Sequence, residues 1–140
     1  ADIVGLDADF SPVNLDTLYE LTGVVYGIDY DGNAGHSFFI KDATGAMNIH
    51  SYVDVSNYTV TEGDEITTRG FLTFYKGLTE LRVDSIKVNS QGNTLEDPKD
   101  ADKPSEETES DFIKLTKVWM TNDTTTMWPD GEKPNFGNAF

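Results

Sequence analysis

The chain has 140 residues, a formal net charge of −15 and no cysteine. That length bounds it to one domain of modest core, and the missing thiols exclude disulfides and thiolate metal sites. So acidic a surface repels phosphates and anionic lipid heads, and nucleic acid is not expected as a partner.

In chain order, residues 1–17 form a mixed N-terminal segment that ends in a Ser-Pro turn and its polar neighbours. Residues 18–90 hold most of the β-branched and aromatic residues and alternate apolar with polar at a period of two. Five strands are predicted there: Leu18–Tyr30, Ser37–Asp42, Ala46–Val53, Asp64–Tyr75 and Leu78–Val88. The links "DATGA" and "YKGL" read as tight hairpin turns, with glycine where positive φ is needed and the Asp42 carboxylate as a cap. "VDVSNYT", between the third and fourth strands, reads as a short helix or an irregular loop.

Five short antiparallel strands favour closure into a barrel, because closure removes exposed edges. Gly23, Gly27 and Gly70 fall inside strands, where a barrel needs sharp bends. The alternation places Leu21, Val25, Phe39, Ile49, Ile66, Leu72, Leu81, Val83 and Ile86 inside. The fold class is therefore all-β, a five-stranded Greek-key OB-fold barrel.

Residues 91–111 change in texture. Within them "EDPKDADKPSEETESD" carries eight acids, two lysines and two prolines, the composition of a solvated, extended linker. Residues 112–140 then return to apolar character in "FIKLTKVWM", an extra strand-like extension followed by a Pro/Gly/Asn-rich tail. Phe112, Ile113, Leu115, Val118, Trp119 and Met120 make that extension apolar in both phases, so it expects cover on both faces. With Trp128 they form a candidate protein interface: the segment either folds back on its own barrel or is donated as a strand to a neighbouring subunit.

The search for chemistry returns little. Asp29, Asp31 and Asn33 in "DYDGN" are spaced like the first ligands of a calcium loop, but Ala34 and Ile40 stand where an EF-hand requires Gly and Glu. No cofactor is expected beyond such a low-affinity calcium site. His36 and His50 lack a third metal ligand. No nucleophile–base pair stands out, so the chain reads as non-catalytic.

The motifs "YELTGVV", "FFIKDATGAMNIHS" and "VTEGDEITTRGFLTFYKGLTELRV", in that order, resemble the OB-fold modules of secreted Bacteroidetes proteins and of extracellular nucleases. The resemblance covers residues 18–90. It implies stacking of single-stranded nucleic acid, with Tyr26, Tyr30, Phe38, Tyr52, Phe74 and Tyr75 as the aromatic candidates. Against it, residues 18–90 carry five bases and ten acids.

The chain starts at Ala1 and holds formal glycosylation sequons at Asn57 and Asn122. The expectation is thus an exported protein, extracellular or at the cell surface. No apolar run approaches the roughly 20 residues that span a bilayer, so membrane insertion is not expected. The leading functional expectation is a module that acts through protein contacts, with itself or with another surface protein. The alternative is an accessory domain for single-stranded nucleic acid or glycan, or a domain of a larger secreted hydrolase.

Overall fold

The structure, a computed structural model, describes residues 5–8, 11–32, 34–105 and 108–116. The strands are β1 (Leu18–Tyr26), β2 (His36–Asp42), β3 (Gly45–Ser51), β4 (Glu65–Tyr75), β5 (Leu78–Ser90), β6 (Lys99–Ala101) and β7 (Ile113–Leu115). The first five close into a barrel in the order β1-β2-β3-β5-β4, and β6 pairs with β7 as a separate two-stranded sheet. The barrel is the OB-fold arrangement, with β3 and β5 running parallel and every other neighbour antiparallel.

Closure depends on β1 serving two neighbours. Leu18–Val24 pairs with β4, and Val24–Tyr26 pairs with β2. At the changeover a Cβ on Gly23 would lie 2.9 Å from the Lys41 carbonyl oxygen, so only glycine lets β2 approach so closely. The strand stops sooner than its alternation suggests, because Gly27 turns left-handed at φ 79°. On the opposite side β4 bulges between Arg69 and Gly70, which re-aims the strand along β5.

Both predicted hairpin turns are present. Asp42 Oδ1 accepts hydrogen bonds from the Thr44 N–H (2.7 Å), the Thr44 hydroxyl (2.6 Å) and the Gly45 N–H (3.1 Å). Burial works to raise this carboxyl, but those three donors outweigh it and hold it below its ordinary value. Lys76 and Gly77 both take positive φ, 50° and 94°, the signature of a two-residue turn that matches strand twist.

The core lies inside the barrel, where Val25, Phe38, Ile49, Ile66, Leu72 and Leu81 are fully buried. Each such side chain contributes about 1.5–3 kcal/mol by leaving water. Phe39 is a correction. The inward phase of β2 is His36, Phe38 and Ile40, so Phe39 points outward and is half-buried. The link between β3 and β4 is an irregular loop that plugs the barrel with Val55, Tyr58 and Val60. Ser56 and Asn57 take left-handed φ there, which bars a helix.

Where the sequence reads a solvated linker, the structure places β6. It pairs in parallel with β7, Lys99 opposite Ile113 and Ala101 opposite Leu115. The strand expected for donation thus finds a partner within its own chain. Among the described residues no helix is long and apolar enough to cross a membrane, which says nothing of β-barrel membrane proteins.

Candidate functional site

The "DYDGN" loop is built by its carboxylates rather than left open for a metal. Asp29 Oδ1 accepts from the N–H groups of Asp31 (3.0 Å) and Ser37 (2.9 Å), and Asp29 Oδ2 lies 3.4 Å from His36 Nδ1. Asp31 Oδ2 accepts from the Gly35 N–H at 3.1 Å. These acids fold a turn by hydrogen bonding their own backbone. Asn33 lies outside the described residues, and among those described no group of three or more His, Cys, Asp or Glu is placed to hold a metal ion.

The histidines serve different faces. His36 is buried, and its Nε2 accepts a hydrogen bond from the Val55 N–H at 3.2 Å. That bond leaves Nδ1 as the protonated nitrogen, aimed at Asp29. His50 sits opposite Ser37 on the outer wall, so the two imidazoles cannot share a ligand.

That outer wall carries the remaining chemistry. Strand register aligns Tyr26, Phe39, Asn48, Glu80 and Thr73 in one row across β1, β2, β3, β5 and β4. The next row runs Ser37, His50, Arg82, Phe71 and Leu18. In OB-folds this wall over β2 and β3, with the loops that flank it, is the face that takes oligonucleotides and oligosaccharides.

The two rows differ in access. In the first, Asn48 is 1% exposed and Glu80 9%, although both point outward. Burial pushes the Glu80 carboxyl up, opposed by the charge of His50. Tyr26 stacks on Phe39 at 5.8 Å, with Phe112 at 5.8 Å on the same ring. Burial, aided by the Asp111 charge, raises the Tyr26 hydroxyl above its ordinary value, so it stays a donor.

The second row is open. Phe71 is 40% exposed and Arg82 is exposed. Beside them Tyr52, 74% exposed, meets the His50 ring edge-on at 4.7 Å. A guanidinium set among aromatic rings offers both a phosphate partner and stacking faces.

The aromatic candidates therefore divide. Tyr30, Tyr52 and Tyr75 stand exposed, the last with Lys76 Nζ 5.1 Å above its ring. Tyr26 and Phe74 are half-buried. Phe38 is a correction: it is fully buried against Tyr58 and His36 and offers no stacking face. Phe71, His50 and Arg82 were missed as site residues, though Leu72 as an inward residue places Phe71 outward by alternation alone. Of the interface candidates, Phe112 packs on Tyr26, while Ile113 and Leu115 lie in β7. Val118, Trp119, Met120 and Trp128 lie outside the described residues.

No family model matches the chain. A stretch of 70 residues, 49% of the chain, is 36% identical to Endonuclease YhcR of Bacillus subtilis (strain 168) and spans 6% of that protein's length. One similar solved chain belongs to a replication protein A heterotrimer bound to ssDNA, at TM-score 0.45 and 13% identity over 59% of this chain and 63% of that one. Another is the second OB-fold domain of replication protein A from Methanococcus maripaludis, at TM-score 0.45 and 22% identity over 59% and 91%. One of those chains comes from a complex with ssDNA, and the expectation that nucleic acid is not a partner is corrected: the net charge does not exclude it. A net charge averages the whole surface, whereas a strand meets only the wall it touches.

Proposed function

We propose that this chain is a non-catalytic accessory domain that binds single-stranded nucleic acid on the outer wall of β3, β5 and β4, within a larger exported nuclease. The observation that carries the reading is the open row of His50, Arg82 and Phe71 with Tyr52 beside it. Arg82 pairs with a phosphate while Tyr52 and Phe71 stack bases, a sequence-tolerant mode because every base has a π-face. The partial likeness to an endonuclease supports the nuclease setting. The tie to exported Bacteroidetes proteins rests on the motif order of residues 18–90 alone.

Only a few cations face the strand, so affinity is modest and falls with salt on a shallow slope set by the few phosphates neutralised. Fluorescence anisotropy with a labelled oligo-dT at low salt tests this. Tyr52→Ala is expected to weaken binding about tenfold through lost stacking, and Arg82→Ala to flatten the salt dependence. Absence of binding by the full chain even at low salt contradicts the reading.

A further inference from the structure

The covered row of the same wall is shut by the chain itself. Residues 109–112 run over it, held at several points by strands far away in sequence. The Tyr26 hydroxyl donates to the Ser110 carbonyl, and Lys41 Nζ pairs with Asp111 Oδ1. Lys41 also faces Glu96 Oε2 at 3.8 Å. On the far side the Thr79 N–H donates to Glu109 Oε1 at 3.4 Å. These anchors on β1, β2 and β5 straddle β3, whose outward Asn48 is 1% exposed.

The chemistry of the strap matches that of a nucleotide. Two carboxylates sit on Lys41, where a phosphate would be drawn by the same charge. The Phe112 ring lies on Tyr26, where a base would stack. The cover is also imperfect: Asn48 Oδ1 is buried and finds no hydrogen-bond partner among the described residues. A buried amide oxygen left unpaired is costly, and a base edge carries the N–H donors that would satisfy it. Beside the strap a cleft of about 290 Å³, lined by Tyr26, Lys41, Glu96 and Phe112 among others, stays open.

We infer that Glu109–Phe112, with Glu96, is an intramolecular competitor for single-stranded nucleic acid. It occupies Lys41, Tyr26 and Asn48 as a mimic of phosphate and base, and a strand extends from the open row onto the covered row only by displacing it. The inference rests on the binding reading above. Because the closed form lacks half of the wall, the chain's affinity is reduced by the fraction of molecules in which the strap is lifted.

The test is anisotropy of a labelled oligo-dT long enough to cross both rows, with full-length wild type and Glu96→Gln/Asp111→Asn/Phe112→Ala. A control, Asp97→Asn/Asp102→Asn, removes the same two charges at exposed positions. The strap variant is expected to bind about tenfold tighter than the control. In the wild type, oligo-dT should speed hydrogen exchange in residues 109–112 and at the Thr79 amide. Equal affinity of variant and control, with only the melting temperature lowered, makes the strap a structural brace and overturns the inference while the binding reading stands. Slowed exchange in the strap on adding oligo-dT overturns it too. If neither protein binds, the binding reading fails and this inference falls with it.

Discussion

Gly70→Ala is expected to destabilise the barrel by about 3 kcal/mol or more, at the upper end of what overpacking costs. A Cβ at this position would lie 2.3 Å from the Arg82 carbonyl oxygen and 2.7 Å from the Val83 Cα. Both are backbone atoms of the neighbouring strand, so no side-chain rotation relieves the clash. The only relief is to part β4 from β5 at the bulge, which breaks ladder hydrogen bonds beside the core residues Leu72 and Leu81. Gly77→Ala is the control: at φ 94° it is strained, but its Cβ would meet nothing within 4 Å, so its cost is about 1–2 kcal/mol. Urea denaturation of both variants measures the difference, and equal costs would show that β5 yields freely at Gly70.

Phe38→Ala is expected to cost about 3–5 kcal/mol, the range for truncating a buried aromatic residue. Phe38 is fully buried, with the Tyr58 ring at 6.0 Å and the His36 ring at 6.0 Å. Deleting it opens a cavity between the barrel and the loop that plugs it. Tyr58 then loses a packing partner while its hydroxyl still holds Asp64 Oδ2 at 3.2 Å. Burial, with the Asp64 charge behind it, pushes that hydroxyl up to about 12, so the bond persists across ordinary pH. Phe39→Ala, on the outer wall, is expected to cost no more than about 2 kcal/mol, through lost ring contacts. The reverse order of the two costs would put the β2 phase back where the alternation first suggested it.

That phase marks the limit of what the sequence discloses. Barrel closure was legible because the turns at Asp42–Gly45 and Lys76–Gly77 demand particular residues and the bend glycines sit inside strands. Two adjacent phenylalanines fit either face equally well, and the choice is made by the neighbours His36 and Ile40, which lock the inward phase. The wall residues were harder to see. Tyr52 and Tyr75 announce themselves by type, but His50 joins Arg82 and Phe71 only through β3–β5 pairing, a parallel contact between positions 50 and 82 that no local pattern carries. The strap was hidden for a related reason. An acidic segment reads as solvated when its composition is taken alone, and the pairing of Asp111 with Lys41 joins positions 70 residues apart.

The most direct measurement is amide chemical-shift mapping of the isotopically labelled full chain during titration with oligo-dT at low salt. Binding on the outer wall predicts that the largest shifts cluster at His50, Tyr52, Phe71 and Arg82, with Tyr26, Phe39 and Asn48 following as the strap lifts. Shifts confined to the opposite wall, around Arg69 and Asp84, or no shifts at all, would contradict it.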